Sequence, residues 1–240
     1  MFSCLFSSQR ARCLAAIATV IAIALLATGA LAQTPSLFTD KELIPKDAIV
    51  LFDGKDLSQW RMMGQDKPAP WKIDDSYALA RGGSIRTRQE FGDCQLHVEF
   101  WLPLMADQKG QYRANSGVYL NGLYEVQVLD SYGLKPNAGD CGALYSITGP
   151  MVNACRPPET WQAYDIFFRA PKFDAAGKKI ANARISVLQN GVWIHDNADL
   201  PHPTANYEAP EVAKGPIELQ FHGNPIRYRN VWIRPLNGGN

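Results

Sequence analysis

The sequence predicts an all-β protein, a sandwich of two antiparallel sheets, and three observations carry that expectation. Beyond residue 48 helix signals are nearly absent, while short runs of β-branched and aromatic residues recur as far as Leu236, divided by Gly, Asn, Asp and Pro. Two Asn-Gly pairs stand where tight hairpin turns need positive φ angles. Residues 94–102 alternate strictly, with Leu96, Val98, Phe100 and Leu102 on one face and Gln95, His97, Glu99 and Trp101 on the other, the period of a half-buried strand.

Residues 1–32 read as a secretory signal peptide. Arg10 and Arg12 precede an uncharged, mostly apolar stretch from Leu14 to Ala27, and Ala30-Leu31-Ala32 offers small residues for cleavage before Gln33. An uncleaved anchor competes for the same stretch, but the small-residue exit and the polar Gln33-Thr34 favour cleavage. The expectation is a periplasmic or secreted protein with no stable membrane insertion once the signal is gone. Residues 33–48 form a lead-in segment, residues 49–236 one domain without internal repeats, and residues 237–240 a frayed tail.

Within the domain, Asp74-Asp75 divides two short strands in 71–79. Asn121-Gly122 divides Val118–Leu120 from Tyr124–Val128, and Asn190-Gly191 divides Ala183–Leu188 from Val192–His195. Two sheets with one apolar face each pack into a sandwich, and an outward face carrying Glu, Gln and Trp is a candidate carbohydrate groove.

With 24 basic against 23 acidic residues and no basic run, the chain carries no electrostatic footprint for a nucleic acid. Its 46% hydrophobic content excludes collagen-like, coiled-coil and disordered chains. Cys4 and Cys13 leave with the signal; of the three that stay, Cys141 and Cys155 flank a turn-rich segment and are the expected disulfide, whereas Cys94 opens a strand as a small hydrophobe. A zinc site is the rival reading, but no CxxC or paired histidines support it.

The chain lacks a G-x-S-x-G elbow, an H-E-x-x-H helix, a Walker loop and a dinucleotide glycine fingerprint. What remains is Glu99, Glu125, Gln127, Asp130, His195 and His222 on or just after strands. Glu125 and Gln127 share a strand face about 6.6 Å apart, able to hold a sugar between a base and an amide, or else simply a solvated face. Glu99 and Glu125 are a possible glycosidase pair. His222, beside Gly223, is a candidate acid or base; His195 reads more readily as structural. Arg227 and Arg229 share one parity and can polarise a carbonyl or pin the last strand to an acid. Trp60, Trp71, Trp101 and Tyr145 can stack on a sugar, and Trp101 is the preferred tryptophan because it lies opposite the apolar face of its strand.

Leu51-Phe-Asp-Gly-Lys-Asp-Leu-Ser-Gln-Trp60, Asn115-Ser-Gly-Val-Tyr-Leu120, Tyr124-Glu-Val-Gln-Val-Leu-Asp-Ser-Tyr-Gly133, Cys141-Gly-Ala-Leu-Tyr145, Trp161-Gln-Ala-Tyr-Asp165 and Arg229-Asn-Val-Trp-Ile233 together resemble the 3-keto-disaccharide hydrolase family. Its members are also described as 3-keto-glucoside 1,2-lyase and 3-keto-2-hydroxy-glucal hydratase domains. The resemblance spans nearly all of residues 49–236 in the family's order. It implies a concanavalin A-like jelly roll acting on 3-keto sugars after a separate sugar 3-oxidoreductase has made the ketone. A ketone at C3 acidifies the C2 proton, so a base can remove it and expel the C1 substituent; hydration of the enone completes a net hydrolysis.

That chemistry needs a base, an enolate stabiliser and an acid for the leaving oxygen. On this reading Glu125 and His222 share the roles of base and acid, in either order, and Arg229 stabilises the enolate. Glu99, Asn115, Gln127 and Asp130 position the sugar or bind a metal, and Trp101 and Tyr145 contact it. No cofactor is certain; a divalent metal ion is possible as a Lewis acid in place of the arginine. The competing function is a non-catalytic carbohydrate-binding jelly-roll module, and an ordinary glycoside hydrolase is a third.

Overall fold

A computed structural model describes residues 44–204 and 207–236; the expected signal at 1–32, most of the lead-in segment and the tail lie outside the described residues. Among the described residues fifteen strands follow in order: β1 (Ile49–Phe52), β2 (Trp60–Met62), β3 (Lys72–Asp74), β4 (Tyr77–Leu79), β5 (Ile85–Thr87), β6 (Cys94–Trp101), β7 (Ser116–Leu120), β8 (Tyr124–Val128), β9 (Trp161–Arg169), β10 (Lys172–Phe173), β11 (Lys179–Ala181), β12 (Ala183–Gln189), β13 (Val192–Leu200), β14 (Glu218–Leu219) and β15 (Arg227–Pro235). A 3-10 turn at Gly110–Tyr112 precedes β7.

The larger sheet has the order β13-β12-β9-β6-β15-β4-β3, with β1 also paired to β15; the smaller runs β2-β5-β14-β7-β8, and β10 and β11 form a separate ribbon. All the strand pairs are antiparallel. The architecture is a jelly-roll β-sandwich of two antiparallel sheets. Asn121-Gly122 and Asn190-Gly191 turn with φ of 54°, 64°, 54° and 82°, the left-handed values that twist-matched two-residue hairpins require.

Alternation decides what each sheet buries. Leu96, Val98 and Phe100 of β6 point inward with Tyr164, Ile166 and Phe168 of β9, and meet Val118, Leu120, Val126 and Val128 from the smaller sheet. Polar atoms that enter the core are paired: the Ser116 and Tyr228 hydroxyls meet at 2.6 Å, and the Tyr164 hydroxyl donates to the Gln127 carbonyl at 2.6 Å. Both bonds join the two sheets. The free edge of β8 is covered by 142–145, where the Gly142 amide donates to Gln127 O at 2.8 Å and the Tyr145 amide to Glu125 O at 3.3 Å.

Cys141 and Cys155 lie together, with the Gln189 amide 3.5 and 3.4 Å from their sulfurs, but as two thiols in hydrogen-bond contact rather than as the expected disulfide. Cys94 is a core thiol, as its strand pattern suggests, and burial pushes it up to about 12.

Candidate functional site

Inward-pointing Val126 and Val128 force Glu125 and Gln127 onto the outer face of the smaller sheet, where register builds a transverse row. Arg61 faces Arg86 across β2 and β5, Arg86 faces Glu218, Glu218 faces Tyr119, and Tyr119 faces Glu125. Tyr145 continues the row beyond Glu125. With one residue per strand at about 4.8 Å spacing, Arg61 and Glu125 stand about 19 Å apart across the sheet. A second row holds Gln220, Gly117 and Gln127: Gly117 opposes Gln127, and the Gln220 amide donates to Gly117 O at 3.0 Å.

Gly117 makes the site possible. A Cβ there would lie 2.2 Å from Glu125 Oε1 and 2.9 Å from Tyr119 Cε2, so the Glu125 carboxyl lies across a backbone that only glycine leaves bare. Glu125 is 4% exposed and Glu218 7%. Burial raises the Glu125 carboxyl to about 7, opposed by a hydrogen bond from the Tyr119 hydroxyl and helped by the charge of Glu218. Burial likewise lifts Glu218 to about 7 against the pull of Arg86. The Tyr119 phenol is pushed well up by burial and by Glu125, so it remains a donor, and it accepts from Gln220 Nε2 at 3.0 Å. Around this row Arg61 Nε, Arg86 Nε and Gln220 Oε1 are buried without a hydrogen-bond partner.

Asn115 and Gln127 are joined through Gln111: Asn115 Nδ2 donates to Gln111 Oε1 at 3.0 Å and Gln127 Nε2 to the same oxygen at 3.1 Å. Asp130 is ion-paired with Arg113. His222 is exposed in the loop after β14, with the parity of Glu218 and Gln220; that loop is tied to Asn115, whose amide donates to Asn224 Oδ1 at 2.8 Å. His195 is buried, its Nε2 2.7 Å from Gly142 O.

Glu99, Trp101 and Arg229 lie elsewhere, on the outer face of the larger sheet. Arg229 Nε donates to Glu99 Oε2 at 2.7 Å, Asn230 Nδ2 to Glu99 Oε1 at 2.9 Å, and His97 lies 3.6 Å from Glu99 and 2.6 Å from Asp165. Burial is the largest influence on Glu99 and would raise it, yet the bonds from His97, Asn230 and Arg229 together hold it below the usual range. Burial would lower His97, but Asp165 and Glu99 together raise it. Trp101 and Tyr77 are covered by the Arg227 guanidinium, 3.9 and 4.8 Å from their rings, and Arg229 lies 4.0 Å over Trp161. A cavity of about 660 Å³ opens here, lined in part by Lys46, Asp53, Ser76 and the Glu99–Arg229–Asn230 cluster.

The structure therefore brings together Glu125, Gln127, Asn115 and Tyr145, with His222 in the adjoining loop, and separates them from Glu99, Trp101 and Arg229 by the thickness of the sandwich. Arg229 stands across the core from Glu125, so the two do not share a groove as expected, nor do Glu99 and Glu125 form a carboxylate pair. Among the described residues no group of three or more His, Cys, Asp or Glu is arranged to hold a metal ion. The possible metal ligands Glu99 and Asp130 are each engaged by an arginine. The donors on the row, two carboxyls interleaved with Arg86 and Tyr119, do not fit a divalent cation.

Glu218, Tyr119, Gln220, Arg86 and Arg61 were missed in the sequence. The signal was present for the first three: Ile217 and Leu219 are apolar around Glu218 and Gln220, and Val118 and Leu120 around Tyr119.

A jelly-roll sandwich that carries buried acids, amides and an aromatic on one outer face defines a carbohydrate-active enzyme or binding module. The chain belongs to the 3-keto-alpha-glucoside-1,2-lyase-like domain family, which matches residues 47–234. It is similar to a candidate glycosyl hydrolase from Parabacteroides distasonis, solved at 2.13 Å, with 39% identity, a TM-score of 0.73, and coverage of 80% of this chain and 85% of that one. Two further structures of candidate glycosyl hydrolases from the same organism share the fold. One has 17% identity and a TM-score of 0.64 over 82% of this chain and 98% of that one; the other has 23% and 0.56 over 79% and 99%. No protein with a curated description matches the chain significantly.

Proposed function

We propose that the protein cleaves 3-keto-glycosides by C2 proton abstraction, β-elimination at C1 and hydration, on the outer face of the smaller sheet. The observation that carries this reading is the Glu125 carboxyl: buried over Gly117, hydrogen-bonded by Tyr119, and raised to about 7, where a base of matched strength works at neutral pH. Glu125 takes the C2 proton. As its negative charge passes to the sugar, the Tyr119 hydroxyl transfers its hydrogen bond from the carboxylate to the oxygen developing on C3, the role first sought in Arg229. His222, in the loop beside Asn115, protonates the leaving oxygen, and Gln127 with Asn115 holds the ring. Water then adds to the enone.

The reading includes export to the periplasm or beyond, and an upstream oxidoreductase that supplies the ketone. It is tested by incubating the purified protein with a 3-keto-disaccharide and with its unoxidised parent. Release of the leaving sugar from the keto compound alone is expected. Cleavage of both would make it an ordinary glycoside hydrolase, and binding without turnover of either would make it a recognition module.

A further inference from the structure

At the β2 end of the row, Arg61 and Arg86 face each other directly across antiparallel strands. Like charges in that position repel. The fold supplies little to offset this: Arg61 Nη1 lies 3.9 Å from Asp66, which is largely exposed and shared with Arg88 at 3.5 Å. Arg86 has Glu218 as its facing acid, a carboxyl that burial leaves only partly ionised near neutrality. The Nε–H groups of both arginines are also buried without an acceptor, and Gln220 Oε1, two residues beyond Glu218, lacks a donor. A buried N–H left unpaired is costly, because it gives up its bond to water and gains none in return. Guanidinium groups on facing residues, each with an Nε–H that the fold leaves unpaired, match an oxyanion such as a carboxylate or sulfate, two of whose oxygens can accept from one guanidinium, and the unpaired amide oxygen can accept from a sugar hydroxyl.

We propose that Arg61 and Arg86 form an anion subsite and that the substrate is an acidic glycoside, its carboxylate or sulfate held by the arginines while the reacting ring lies over Gly117 and Glu125. This rests on the placement of the reaction at Glu125 proposed above. Arg86 and Glu125 are three strands apart, about 14 Å across the sheet, so the anionic group belongs to a ring beyond the scissile bond rather than to the reacting sugar.

The test is calorimetric binding of three unoxidised disaccharides that differ only in the distal ring: neutral, uronate and sulfated. The expected result is at least tenfold tighter binding of one or both acidic compounds than of the neutral one, weakening with added salt. Arg86→Gln and Arg61→Gln should each lose that preference and retain the affinity for the neutral compound, which also reports that the variants are folded. Preference for the sulfated compound alone assigns sulfate, and preference for the uronate alone assigns carboxylate. Equal affinity for all three, no binding of any, or a preference unaltered in both variants overturns the proposal; if neither variant folds, the wild-type comparison decides. Turnover is a separate readout: cleavage of keto-disaccharides without acidic preference removes the subsite and leaves the lyase reading, and acidic preference without keto-sugar cleavage does the reverse.

Discussion

Glu99 and Glu125 are the same residue type, on strands of the same sandwich, 1% and 4% exposed, and their carboxyls are shifted in opposite directions. Glu99 is met by an arginine, an asparagine and a histidine, so its charge is stabilised and it is occupied. Glu125 has a tyrosine hydroxyl and a neighbouring acid, so its charge is held out of water largely unanswered. Burial alone therefore does not mark a functional acid. A satisfied buried carboxylate is an anchor, and a poorly satisfied one is poised to exchange a proton.

The strongest way to break this comparison is to neutralise each acid in turn. Glu125→Gln is expected to lower kcat on a 3-keto-disaccharide by about 10³-fold, about 4 kcal/mol of barrier, with the fold intact. Glu99→Gln is expected to act on stability instead. It removes the charge that Arg229 and His97 share and turns one acceptor oxygen into an N–H donor facing them, and denaturant unfolding should show a loss of about 3 kcal/mol, with near-normal kcat in the folded fraction. If Glu99→Gln abolishes turnover at unchanged stability, the assignment of the two faces is reversed.

Gly117→Ala sharpens the same contrast without touching an acid. The added methyl must displace the Glu125 carboxyl, since 2.2 Å is far inside contact distance. A misplaced base should reduce kcat by about 10²-fold with a smaller change in KM. A rate within twofold of wild type would show that Glu125 is not held over this glycine during turnover.

The alternation at 94–102 and the two Asn-Gly turns made the sandwich legible, because period-2 patterning and turn geometry are local. Glu125, Gln127 and Asn115 were legible as candidates for the same reason. Which sheet each residue faced outward from was not. Glu99 and Glu125 both alternate against apolar neighbours, and only the order β9-β6-β15 against β14-β7-β8 separates them. The arginine end of the row escaped because β2 and β5 are each three residues long, too short for a period to register, and because facing pairs depend on register between distant segments.

The smallest expected effect is the pH dependence of stability, and it is where the two acids diverge most clearly in sign. Glu125 has a folded value of about 7 against an unfolded value near 4.5, so between these the folded state binds more protons. Its contribution is favourable below about pH 4.5 and declines as pH rises toward 7. Glu125→Gln removes that decline, so the variant should gain on wild type by on the order of 2 kcal/mol between pH 5 and pH 8, read from urea midpoints. Glu99 is shifted downward, so its stabilisation is present above about 4.5 and is lost as pH falls through its folded value. Glu99→Gln should therefore narrow its deficit on the acid side, where the wild-type carboxylate also becomes protonated. His97, shifted upward, adds stability at low pH that fades as pH rises through its own folded value, so Glu125→Gln should reduce the alkaline decline but not abolish it. Parallel pH profiles for the two variants would mean that the two glutamates experience the same environment, and the division of the sandwich into an anchoring face and a reacting face would fall with it.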